Sequence, residues 1–175
     1  MKNPFLVKHK EKAEFNQYWY SAKTIAFLAE QALASPGEVC FLSCPSVYGS
    51  VKGPDRDRCF LFDKVAGNNY FPYDFNRAED IPVHFKARFS FILIDPPFIT
   101  REVWQAYART VRMIGAKDAR VLCSTIDENA DLLRELLGVE RATFRPLIPN
   151  LVYQYSFFAN FTNEALETVN EEIGF

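Results

Sequence analysis

Short, continuously apolar runs alternate with helical stripes along this chain, and that alternation admits few folds. Residues 38–44, 58–63 and 89–95 are rich in Val, Cys, Phe, Leu and Ile and read as strands buried on both faces. Residues 119–124 give another such strand, and residues 70–74 a weaker one that Pro72 demotes towards an edge. Helices stand between them. Ser21 caps residues 21–34, Ile25, Leu28, Ala29 and Ala32 form one stripe, and Ser35-Pro36-Gly37 stops the helix. Thr100 opens a second helix over residues 100–114, with Val103, Tyr107, Val111 and Ile114 on its apolar face and Gly115 at its end. A third covers residues 127–137 before Gly138. Residues 143–147 and 152–161 read as two late strands with no helix between them, which predicts an antiparallel hairpin at one edge. The expected architecture is α/β: a mostly parallel sheet of seven strands with helices on both faces.

Several classes drop out. The chain has 175 residues, 49% hydrophobic, so one domain with a real core is expected. Its longest apolar runs, such as Phe91-Ile92-Leu93-Ile94, are far short of a membrane span, and its first fifteen residues hold no signal-peptide core. A cytoplasmic location follows as an expectation. Cys40 and Cys44 would lie on one strand about 13 Å apart, too far for a disulfide. With two histidines and no CxxC pair, no metal site is expected. The formal net charge of −2 argues against a general nucleic-acid binder.

Ligands of open α/β sheets bind outside the carboxyl ends of the strands. Here those ends are Ser43-Cys44-Pro45-Ser46, Asp63-Lys64, Asp74-Phe75-Asn76 and Asp95-Pro96-Pro97-Phe98. Three of the four carry an acid, although acids are depleted in strands. Asp95-Pro96-Pro97-Phe98 is the sharpest signal. Each proline forces the residue before it to be extended, and neither proline can donate a backbone hydrogen bond. The result is a stiff ledge with a carboxylate, carbonyl acceptors and an aromatic face. Such a ledge suits an amino group.

That motif resembles the [DNS]-P-P-[YFW] motif of amino-group methyltransferases. More widely, the chain is similar to the family first described as adenine-N6-methyltransferase-like, whose members include lysine methyltransferases of translation elongation factor one-alpha. The resemblance rests on Gln17-Tyr-Trp-Tyr-Ser21, Pro45-Ser-Val-Tyr48, Phe62-Asp63-Lys64, Tyr73-Asp-Phe-Asn76, Ile94-Asp-Pro-Pro-Phe98, Glu135-Leu-Leu-Gly138, Asn150-Leu151 and Asn160-Phe161. It implies a Rossmann-like class I methyltransferase domain over residues 17–161, an N-terminal extension over 1–16 and an acidic tail over 162–175. The tail would be a short polar helix or frayed. Two departures stand out. The turn after the first strand has one glycine, as in the family, where most methyltransferases have several. Only sixteen residues precede Gln17, where members of the family carry a longer helical region.

The resemblance implies S-adenosylmethionine as cofactor. Asp63 would accept the ribose hydroxyls and Asp74 would meet the adenine amino group. Ser43, Pro45 and Ser46 would pass the methionine part, and Trp19 and Tyr20 would cover the sulfonium. Asp95, Pro96, Pro97 and Phe98 would hold the acceptor nitrogen, with Tyr48 or Trp104 adding desolvation if they are near. The favoured acceptor is a protein lysine, because a cationic substrate suits an acidic surface, and the resemblance implies elongation factor one-alpha as the protein that carries it. Adenine in DNA or RNA is the second acceptor, and a binding module without catalysis is the third reading. His84 is expected in an exposed loop, and Cys123 as a small core residue.

Overall fold

A computed structural model describes residues 2–64 and 69–174 of the chain. Its strands are β1 (Val39–Leu42), β2 (Cys59–Asp63), β3 (Tyr70–Pro72), β4 (Phe89–Ile94), β5 (Gly115–Thr125), β6 (Glu140–Arg141) and β7 (Ser156–Ala159). They form one sheet in the order β3-β2-β1-β4-β5-β7-β6. The first five run parallel, and β7 lies antiparallel between β5 and β6. The mostly parallel α/β sheet with an antiparallel edge is therefore as expected.

Strand alternation sends successive side chains to opposite faces. Phe41, Leu93, Leu122 and Phe157 face one core, together with Ile25, Leu28 and Ala32 of α2 (Ala22–Leu33) and Val47 of the short α3 (Pro45–Tyr48). Leu42, Ile92, Ile94 and Phe158 face the other. There they meet Trp104, Tyr107 and Ile114 of α4 (Arg101–Ile114) and Leu133 of α5 (Ala130–Leu137). Aromatic rings fill much of this second core; Phe62 alone packs on Phe71, Tyr73, Phe85 and Phe89. All four cysteines are buried and free, Cys123 among them, and His84 is exposed.

The late strands differ from the expectation. Residues 143–147 are not a strand; β6 is Glu140–Arg141, and β7 keeps only Ser156–Ala159 of residues 152–161. Pro146 and Pro149 lack the N–H that a ladder needs. Phe144 instead stacks on Phe27 of α2 at 3.7 Å, which draws this stretch off the sheet edge. β5 also begins four residues early. Phe89 pairs with Gly115 but Phe91 with Arg120, an irregularity that passes through Asp118 at φ 61°.

Both end segments lie against the domain. In the first sixteen residues, Asn3 caps α1 (Pro4–Lys8) and its amide donates to Ser50 Oγ at 3.0 Å. Phe5 packs edge-on to Trp19. In the tail, Asn163 caps α6 (Glu164–Glu167), whose Leu166 is 1% exposed. Ser21 Oγ donates to Glu172 at 2.7 Å, so a carboxylate sits at the positive N-terminus of α2. The tail is thus a short packed helix rather than a frayed end.

Candidate active site at the carboxyl edge of the sheet

Register builds the site. Leu42 of β1 pairs with Phe62 of β2 on one side and with Ile94 of β4 on the other. The next residues, Ser43, Asp63 and Asp95, therefore fall in one row across three adjacent strands. The ladder still holds there: Ser43 N donates to Phe62 O at 2.7 Å and Asp95 N to Leu42 O at 3.2 Å. Ser43 then turns the chain into α3 at φ 60°, a left-handed conformation that glycine adopts more readily. Its hydroxyl lies 2.6 Å from Tyr107 Oη of α4.

Asp95, itself half-buried, is the centre of a polar group whose other members, Tyr20 and Ser124, are buried. Ser124 Oγ, near the end of β5, donates to Asp95 Oδ1 at 3.3 Å. The Tyr20 hydroxyl lies 2.6 Å from Ser124 Oγ and also reaches the Asp95 carboxyl. Burial pushes that carboxyl from 3.8 up to about 7; the bonds from Tyr20 and Ser124 pull it down, and the charge of Asp63 pushes it up. Burial also raises Asp63, against the bond its Oδ1 accepts from Lys64 N at 2.7 Å.

The turn after Asp95 is fixed at both ends. Pro96 is buried, and the Pro97 carbonyl accepts from the side chain of Asn16. Asn129 Nδ2 donates to Ile99 O at 3.0 Å and to Thr125 Oγ1 at 2.9 Å, and Thr100 caps α4. Phe98 is left 50% exposed at the surface.

Tyr20, Ser43, Asp63 and Asp95 thus come together, beside the Pro45–Ser46 start of α3. Trp19 lies in the neighbouring arm: its ring meets Phe5 at 5.1 Å and its Nε1 donates to His9 O at 3.2 Å. Asp74 sits in an exposed turn beyond β3, where it accepts from Asn76 N at 2.9 Å. Tyr48 and Trp104 are core side chains, 2% and 0% exposed. Sequence reasoning missed Ser124, Tyr107 and Asn16. Ser124 ends the fifth predicted strand and could have been read as the others were. Tyr107 stands in mid-helix and Asn16 in the N-terminal arm, and neither position carried a signal.

A sheet in this order, with its last strand reversed and acids at the ends of β2 and β4, defines the Rossmann-like class of methyltransferases. A solved relative in fold is the 1,6-didemethyltoxoflavin-N1-methyltransferase of Burkholderia thailandensis with bound S-adenosylhomocysteine. It has a TM-score of 0.53 and 14% identity, over 79% of this chain and 76% of that one. Within the class, a family model described as "Probable N6-adenine methyltransferase" matches residues 11–163, and the chain belongs to that family. The Homo sapiens EEF1A lysine methyltransferase 1 is 30% identical over 166 residues, 87% of this chain and 76% of that protein. The Saccharomyces cerevisiae protein-lysine N-methyltransferase EFM5 is 28% identical over 180 residues, 87% and 73% of the two chains.

Proposed function

We propose that this chain transfers a methyl group from S-adenosylmethionine to a lysine amine, and that the lysine belongs to translation elongation factor one-alpha. The carrying observation is Asp95, a carboxyl poised near pH 7 and held by Tyr20 and Ser124 beside a stiff Pro-Pro turn. The names of the sequence relatives support the acceptor.

The donor set fits the cofactor. Asp63 gives one oxygen to Lys64 N, and its second has no partner among the described residues, which suits a ribose hydroxyl. The row of Ser43, Asp63 and Asp95 supplies acceptors and negative charge, which suit hydroxyls and a sulfonium and do not suit a phosphate. Pro45 and Ser46 flank the methionine part, and Asp74 serves the adenine amino group from its turn. Trp19 acts through the arm it anchors. When bound, S-adenosylmethionine supplies an electrophilic methyl on sulfur and leaves as S-adenosylhomocysteine.

This chain's own residues prepare the acceptor. A free lysine ammonium has a pKa near 10.4, so it must lose a proton before its lone pair can form the N–C bond. Asp95, half ionised near neutral pH, takes that proton and returns it to water. With the Pro97 carbonyl committed to Asn16, the Asp95 carboxylate and the Pro96 carbonyl hold the remaining N–H groups and aim the lone pair. An elongation factor as substrate places the enzyme in the cytoplasm, where four free buried thiols stay reduced.

The test is calorimetric titration of S-adenosylmethionine, followed by transfer of labelled methyl to purified elongation factor one-alpha and to an adenine-containing oligonucleotide. Label in a lysine of the protein is the expected result. Label in the oligonucleotide alone, or no cofactor binding by folded protein, refutes the reading.

A further inference from the structure

We infer that the acceptor lysine reaches the site through the loop that precedes β7, and that Tyr155 meets its amino group. The inference rests on the methyltransferase reading above.

The parallel strands bring the residues that follow them to the carboxyl edge of the sheet. β7 runs the other way, so it brings the residues that precede it. Thr125 of β5 pairs with Ser156, which sets Tyr155 beside the end of β5, one residue beyond the Ser124 that holds Asp95. Tyr155 is half-buried, and its hydroxyl has no partner among the described residues. The hydroxyls of Tyr20, Tyr73 and Tyr107 are bonded to Ser124, Thr110 and Ser43. Burial, and then the charge of Asp95, push the Tyr155 phenol up to about 12, so it stays neutral at working pH.

Tyr155 also lines a cavity of about 180 Å³ whose other walls are residues 146–149 and 151–154. Pro146, Leu147, Ile148 and Leu151 give it apolar sides. Val152 and Tyr153 stand at its rim, 93% and 67% exposed. The loop is preformed. Gln154 Nε2 donates to Pro146 O at 3.0 Å and to Tyr155 O at 2.7 Å, tying its two ends. Asn150 Nδ2 donates to Glu11 Oε2 at 2.9 Å, and Glu11 Oε1 accepts from Trp19 N at 2.9 Å, tying its tip to the N-terminal arm.

A cleft with aliphatic side chains on part of its wall, and with a neutral hydroxyl that feels the charge of Asp95, matches an aliphatic stem that ends in an amine. The walls bury the methylene groups of the stem. The phenol oxygen accepts an N–H without adding a charge that would keep the amine protonated.

The experiment compares wild type, Tyr155→Phe, Tyr155→Ala and Val152→Asp as full chains. Val152 is exposed, so its variant keeps the fold. S-adenosylmethionine affinity is read by calorimetry, and kcat and KM by methyl transfer to elongation factor one-alpha. KM for the protein should rise about tenfold in Tyr155→Ala and in Val152→Asp, with cofactor affinity held within about twofold, and Tyr155→Phe should lower kcat more than it raises KM. A second readout does not depend on the acceptor protein. In ¹³C-tyrosine-labelled protein with S-adenosylhomocysteine, n-butylamine should shift the resonance that is missing from Tyr155→Phe. Unchanged KM in both Ala and Asp variants, loss of cofactor affinity in place of KM, or a shift with adenosine and none with butylamine would each overturn the inference. Inactivity on the elongation factor with the butylamine shift intact would refute that substrate and leave the passage standing.

Discussion

Replacing Asp95 with Asn should stabilise the protein more as the pH rises, while abolishing its chemistry. The Asp95 carboxyl titrates at about 7 in the fold, against 3.8 for an ordinary carboxyl. That gap corresponds to about 4 kcal/mol. Its sign follows from the direction. The folded state holds the proton more tightly, so the contribution is complete below the unfolded value and is lost as pH rises through the folded one. Between about pH 5.5 and 8.5 the wild-type protein should lose about 2 kcal/mol on this account. Asn cannot ionise and keeps an oxygen for the Ser124 bond. Urea unfolding of both proteins without cofactor, at about pH 5.5, 7 and 8.5, isolates the effect, since Asp63 and the other titrating groups are common to both and largely cancel in the difference. The stability gap in favour of Asn should widen by about 2 kcal/mol across that range, and methyl transfer should fall about a hundredfold or more. A gap that stays constant with pH would refute the assignment of a near-neutral Asp95.

Other substitutions test the neighbours. Asp63→Ala should weaken S-adenosylmethionine binding by about 2 kcal/mol, read by calorimetry, and an unchanged affinity would remove Asp63 from the ribose site. Tyr20→Phe takes away a bond that lowers Asp95, so the rising limb of the pH–rate profile should move to higher pH; a shift to lower pH contradicts the network. At Gly49 an added Cβ would lie 2.6 Å from Phe5 Cδ2. Gly49→Ala should therefore push Phe5 aside at a cost of about 1 kcal/mol and speed proteolysis within the first sixteen residues, and wild-type cleavage rates would show that the arm is held elsewhere.

What could be read from the sequence follows from the kind of signal each part carries. β1, β2 and β4 are continuous apolar runs and needed no context. β6 is two exposed residues, Glu140 and Arg141, and only its pairing with β7 makes it a strand. The run at residues 143–147 has the composition of a strand, but its aromatic residue found a better partner in Phe27. The site divides in the same way. Ser43, Asp63 and Asp95 follow parallel strands, where a simple rule finds them. Tyr107 comes from a helix turn and Tyr155 from the front of a reversed strand, so their approach is set by the assembled fold.

The place of β7 between β5 and β6 also bears on how the molecule is made. Synthesis proceeds from the N-terminus, and β5 and β6 leave the ribosome before Ser156–Ala159 does. Until then Leu122 to Thr125 present an open row of backbone donors and acceptors, flanked by apolar side chains. The nascent chain therefore carries a sticky margin from the completion of β5 until β7 emerges, closed by four residues late in the chain. Slowing release at that point, or withholding a chaperone, should send the chain into aggregates well before any defect in the finished enzyme could be seen.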